Sequence, residues 1–139
     1  MKKKRQKSPK QKFIKEIDDL WSLVIRTRDR FKCQKENCPA HGKRMQAAHV
    51  WSRNNKSIRW NLDNGFCFCY YHHLLWSHRS PVEYAEWCKA RLGEEKYYEL
   101  RDIGMKDIGT ISMEDLYKVK EYLEEQLKYY QDKNESAVF

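Results

Sequence analysis

The chain has no apolar run approaching the ~20 residues that a membrane-spanning helix needs. Its N-terminus is basic, but no apolar stretch follows, so it does not read as a secretory signal. Without export, disulfides are not expected, and Cys33, Cys38, Cys67, Cys69 and Cys88 need another role. Acidic residues are missing from the first twelve positions, where Lys2, Lys3, Lys4, Arg5, Lys7, Lys10 and Lys12 crowd together. These absences predict a soluble, cytoplasmic protein with no membrane partner.

What is present sets the rest. A length of 139 residues predicts one domain, and 40% apolar residues predict a modest core. A small α+β core of that size often needs a staple. The formal net charge is +8. A basic arm over 1–12 suits a polyanion, because each Lys or Arg that meets a phosphate releases a counterion. DNA is the partner this predicts.

The cysteine spacing suggests the staple. Cys33 and Cys38 form a C-x4-C pair, and Cys69 and His72 form a C-x2-H pair further on. Two close ligand pairs separated by a loop are how one tetrahedral zinc ties two chain segments together. Two rivals stand beside that set: Cys67 in place of Cys69, and His41 joining Cys33 and Cys38. Strand alternation does not decide between Cys67 and Cys69, which would share a face. The C-x2-H spacing favours Cys69.

Apolar residues recurring at three and four, from Phe13 to Ile25, predict a helix over 13–29. Residues 31–43 suit a knuckle-like loop. A strand is expected over 43–51, turn chemistry at 54–57, and a β-prone segment at 65–69. A helix is expected from Tyr70 to about Trp76. Pro81 can open another, Gly93 breaks it, and 94–100 can form a further one. Residues 102–109 read as a loop. Ser112 can cap a helix from Met113 to about Gln131, whose apolar stripe could pack on the core or form a short dimer seam.

The chemistry concentrates between His49 and His78. His49 lies on the expected strand, Asn64 follows in Arg59-Trp60-Asn61-Leu62-Asp63-Asn64, and His73 lies on the expected helix. This His-Asn-His order on β-β-α resembles the HNH (ββα-metal) nucleases. Within them it is most similar to the phage NinG/Rap-type recombination endonucleases. The residues carrying the likeness are His49-x-x-Ser52-Arg53, Arg59-Trp60-Asn61-x-Asp63-Asn64, Cys69, His72-His73, Val82-Glu83-Tyr84 and Leu92-Gly93-Glu94-Glu95, across roughly residues 30–100. No single element is specific; the combined spacing is.

The resemblance implies an α+β fold: a small ββα-metal core stapled by one structural zinc, with flanking N- and C-terminal helices. It implies a zinc-stapled nuclease domain over 13–100, then a linker and C-terminal helix over 101–139. It also places the second zinc pair directly before the final histidine, which again favours Cys69. His49 would be the general base, and His73 would hold a catalytic Mg²⁺ or Mn²⁺. Asn64 would hold the active-site loop by backbone hydrogen bonds. Arg53 and Arg59 suit bidentate phosphate contacts, with Lys2, Lys3, Lys4 and Arg5 as further nucleic-acid contacts. Branched recombination intermediates are the implied substrate, although nonspecific nicking is equally compatible with the residues. A phage origin would place the protein in the host cytoplasm, as a monomer or homodimer.

One departure matters. Many HNH sites carry a metal-ligating Asp or His immediately before the base, and Ala48 cannot bind metal. His78 is a candidate for completing the shell, although five residues from His73 is far round an ordinary helix. The alternative reading is a catalytically inactive, zinc-dependent DNA-binding module.

Overall fold

The structure, a computed structural model, describes residues 1–137; residues 138–139, the end of the expected C-terminal segment, lie outside it. The fold is α+β, with helices packed around a small two-stranded sheet. Helix α1 spans Pro9–Arg28. Ser8 and Gln11 form a reciprocal capping box: Gln11 N–H donates to Ser8 Oγ (3.2 Å), and Ser8 N–H donates to Gln11 Oε1 (2.9 Å). The helix therefore starts four residues before its apolar stripe does. Lys10 and Lys12 belong to it, which shortens the expected arm. The first turn is polar, so cap chemistry marks it and hydrophobic periodicity does not.

Ile17, Trp21, Val24 and Ile25 form the buried stripe of α1. Helix α5, Met113–Ser136, lies against that stripe through Leu116 and Leu123, with Val119, Leu127 and Tyr130 alongside. Ser112 caps it by accepting from Asp115 N–H at 3.1 Å. The α5 stripe thus faces α1 of the same chain, and Leu116 and Leu123 are fully buried there.

Strands β1 (Gln46–His49) and β2 (Gly65–Phe68) pair antiparallel, with Gln46 opposite Phe68, Ala48 opposite Phe66 and His49 opposite Gly65. All four β2 residues are buried because the hairpin is covered on both sides. Ala47 packs into the α1–α5 cluster, and Ala48, Phe66 and Phe68 pack into a second cluster with Met45 and Trp76. That alternation is the two-residue period of a strand. Gly65 permits the close approach of α1: a Cβ there would lie 2.4 Å from the Trp21 ring.

After β2 the chain enters a π-helix, Tyr71–Trp76, which continues as α2, Ser77–Arg79. Helix α3 (Pro81–Leu92) follows, with Tyr84 and Trp87 against Phe68 and Trp76. Gly93, at φ 88°, separates it from α4 (Glu94–Gly104). Gly104 brings the end of α4 onto the loop between the strands, where a Cβ would meet Ile58 Cδ1 at 2.8 Å. No helix among the described residues is long and apolar enough to cross a membrane.

Candidate metal centre and histidine cleft

Cys33, Cys38, Cys69 and His72 converge, with their ligand atoms all within 4.8 Å of one another. Local backbone bonds shape the knuckle after α1: Cys33 N–H donates to Ala40 O (3.0 Å), Cys38 N–H to Lys35 O (3.1 Å), and Gln34 N–H to Cys67 O on β2 (2.9 Å). Asn37, at φ 63°, turns the chain between the first two cysteines. Cys69 leaves β2, and His72 sits in the first turn of the π-helix.

The edge lengths suit one ion. Cys33 Sγ lies 3.4 Å from His72 Nδ1, Cys69 Sγ 3.2 Å from the same nitrogen, and Cys38 Sγ 3.9 Å from Cys69 Sγ. A tetrahedron with zinc–sulfur arms of ~2.3 Å has sulfur–sulfur edges of about 3.8 Å, and slightly shorter sulfur–nitrogen edges. The cluster can hold a structural metal ion through three sulfurs and one Nδ1. Both rivals stand aside. Cys67 is fully buried within β2 and does not join the converging set. His41 is exposed, with Nδ1 3.1 Å from Pro39 O.

The two chemistry-bearing histidines border one cleft of about 290 Å³, lined by Ala48, His49, Arg53, His73, His78 and Tyr84 among others. The His49 ring stacks on Trp21, with centroids 4.0 Å apart and planes 11° off parallel. Its Nε2 lies 2.9 Å from Arg59 O. A carbonyl only accepts, so Nε2 carries the proton and Nδ1 keeps its lone pair. Burial holds the imidazole below its usual value, against the opposing effects of the Arg59 carbonyl and the Asp18 charge.

His73 repeats that arrangement with the nitrogens exchanged. Its Nδ1 lies 2.7 Å from Gln46 Oε1, which fixes the ring and leaves Nε2 available. Burial, then the nearby His78 and His49, lower its proton affinity.

Asn64 is fully buried and bonds only to backbone. Its Oδ1 accepts from Trp51 N–H (2.8 Å), and its Nδ2 donates to Trp51 O (3.0 Å) and Ile58 O (3.1 Å). It pins both ends of the loop whose Arg59 carbonyl holds His49. The hydroxyl of Tyr84 donates to His49 O at 2.8 Å.

The cations divide. Arg59 Nε and Nη2 grip the Asp18 carboxylate at 2.9 and 2.6 Å, and Trp60 Nε1 adds a third donor at 2.8 Å. Burial works to raise that carboxyl, but Arg59 and Trp60 together hold it below its usual value. The fork expected to meet phosphate is therefore taken up inside the protein. Arg53 is exposed and makes no hydrogen bond or ion pair among the described residues. It borders both the histidine cleft and a groove of about 630 Å³ that Arg5, Lys7 and Lys15 also line. Lys2, Lys3, Lys4 and Arg5 are exposed on the arm.

Trp21, Gln46, Asp18 and Tyr84 support these groups. Trp21 was legible as part of an apolar repeat and Tyr84 as part of the family likeness, but neither pattern gave a role at the histidines. Gln46 and Asp18 were not singled out, and of those two Gln46 carried a local signal, lying near His49 on the same expected strand. No protein-family model, curated protein or solved structure gave a match to the chain.

Proposed function

We propose that this protein is a metal-dependent DNA endonuclease of the HNH type, hydrolysing phosphodiester bonds at the histidine cleft. The observation that carries the reading is the complementary anchoring of two histidines at one cleft. His49 is fixed through Nε2 and His73 through Nδ1, so one free nitrogen remains on each. A hairpin followed by a helix supplies them in the β-β-α order of that class.

In this reading His49 Nδ1 removes a proton from the attacking water, a task that needs a neutral imidazole, and burial keeps His49 neutral. His73 Nε2 would hold the divalent ion, which when bound supplies charge stabilisation to the scissile phosphate and the leaving oxygen. Arg53, at the cleft rim and without a partner among the described residues, is suited to a flanking phosphate. The groove toward Arg5 and Lys7 extends the positive track. The Cys/His cluster, holding zinc, sets the start of the helix that presents His73. Branched recombination intermediates are the proposed substrate, in a cytoplasmic setting.

Ala48 favours a second reading. It borders the cleft where a metal-ligating side chain would stand in many HNH sites, so a DNA-binding module without catalysis is the competing function. Cleavage of supercoiled plasmid and of a synthetic four-way junction separates the two. The wild type and His49→Ala are compared with Mg²⁺, with Mn²⁺, with Co²⁺ and with no added ion. Cleavage requiring both an ion and His49 is expected. DNA binding without cleavage under every ion would establish the binding module instead.

A further inference from the structure

We propose that the histidine cleft is a two-imidazole site for a nitrogen-preferring transition-metal ion, with His73 and His78 as its protein ligands, and that it does not take Mg²⁺. The proposal rests on the nuclease reading only for what the ion does; the site itself is argued from geometry and donor chemistry.

The geometry begins with the π-helix. In an α-helix, residues five apart lie about 140° apart round the axis, on different faces. A π-turn widens the ring to i→i+5 and so reduces that angle, bringing such residues toward one side of the helix; His73 lies in the π-helix and His78 in α2 directly after it. That register is present here. Ser77 N–H donates to His72 O, five residues back, and the Ser77 hydroxyl donates to His73 O, four residues back. The hydroxyl serves a carbonyl that the widened turn displaces from its ordinary partner. His73 and His78 accordingly border the same cleft. His78 is exposed, and Gln46 already fixes the His73 ring.

The donor set then selects the ion. Among the described residues, the cleft lining offers three imidazoles, one guanidinium and hydroxyls, and no carboxylate. One imidazole, His49, is tied to the Arg59 carbonyl and stacked on Trp21. The neighbouring acid, Asp18, is gripped by Arg59. Mg²⁺ dehydrates reluctantly and takes hard oxygen ligands, typically at least one carboxylate. Imidazole suits zinc, copper, iron and nickel, and affinity rises along the first row from Mn²⁺ to Cu²⁺. A cleft with Ala48 where a carboxylate would stand, and with His78 and His73 both on its border, is a nitrogen site.

The test is calorimetric titration of zinc-loaded protein, without DNA, using Co²⁺, Mn²⁺ and Mg²⁺, with zinc content checked before and after. One additional Co²⁺ equivalent is expected, Mn²⁺ should bind more weakly and Mg²⁺ should give no heat. His73→Ala should abolish that equivalent. His78→Ala should weaken it by at least the ~10–100-fold that follows loss of a partner behind a ligand. His41→Ala should leave it unchanged. Ala48→Asp combined with His78→Ala should recover binding, tighten Mn²⁺ and admit Mg²⁺. Unchanged Co²⁺ affinity in His78→Ala, no additional equivalent, or Mg²⁺ binding as tight as Co²⁺ would each overturn the proposal. A protein that binds Co²⁺ through both histidines yet never cuts DNA keeps this site and loses the nuclease function. Cleavage in Mg²⁺ that does not need His78 does the reverse.

Discussion

Replacing Asn64 by aspartate changes one atom and tests how the loop is held. The amide is fully buried and meets one N–H and two carbonyls. Aspartate keeps the acceptor for Trp51 N–H but turns an oxygen toward Trp51 O and Ile58 O. Protonated, it donates to one carbonyl and leaves the other unsatisfied, at a cost of about 1–3 kcal/mol. Ionised, it faces two carbonyls as a buried anion, so the folded state raises its proton affinity. The sign follows: above the unfolded carboxyl's value of ~3.9 the folded chain binds more protons, so stability falls as pH rises. The deficit should grow by about 1.4 kcal/mol per pH unit until the folded carboxyl itself ionises. Against a total of ~5–15 kcal/mol, that is a large share by about pH 8. Urea unfolding of the zinc-loaded variant at about pH 6 and pH 8 measures it. Asn64→Ala should lose stability without the added pH slope. An Asn64→Asp variant within about 1 kcal/mol of wild type at pH 8 would refute the assignment of loop anchoring to this amide.

Three further outcomes follow from the same geometry. His49 is half-buried, and that desolvation lowers its proton affinity, so the unfolded chain binds a proton near pH 6.5 that the folded chain resists. Its stabilising contribution is present above that value and lost as pH falls; the slope of the urea midpoint between about pH 7 and 5.5 should flatten in His49→Gln, and an unchanged slope would refute it. Gly65→Ala should cost about 1–3 kcal/mol by overpacking against Trp21 and shift the His49 ring resonances in NMR, because Trp21 is the stacking partner; a variant as stable as wild type would show that the approach is not tight. Elemental analysis should find one structural zinc per chain, lost in Cys69→Ser, and a strong chelator should lower the melting temperature and disturb the near-UV signals of Trp76, which packs edge-on to His72. Full retention of the fold after verified metal removal would dismiss the staple.

Much of the layout is local and was therefore legible. The apolar repeat of α1, the Pro81 start and Gly93 break around α3, and the Ser112 cap of α5 are written in neighbouring residues. The Cys33, Cys38, Cys69 and His72 set was legible too, since short spacings within each pair restrict which atoms can meet. The start of α1 was missed because Ser8 and Gln11 lie outside its apolar stripe. The sequence alone thus determined the main element order and the charge of the arm, and favoured the metal-capable set, while packing removed its rivals Cys67 and His41.

Tertiary structure decided what each candidate side chain faces. Arg53 and Arg59 read alike in the chain, but Asp18, on a helix forty-one residues away, grips Arg59, and no described residue pairs with Arg53. Which nitrogen of each histidine is free depends on Arg59 O and on Gln46, set by the loop path and the strand register. Whether His78 can meet His73 depends on a π-turn, a backbone register that apolar periodicity does not encode. Spacing is a property of the chain; the direction of a hydrogen bond belongs to the packed fold, because its partner comes from a distant segment.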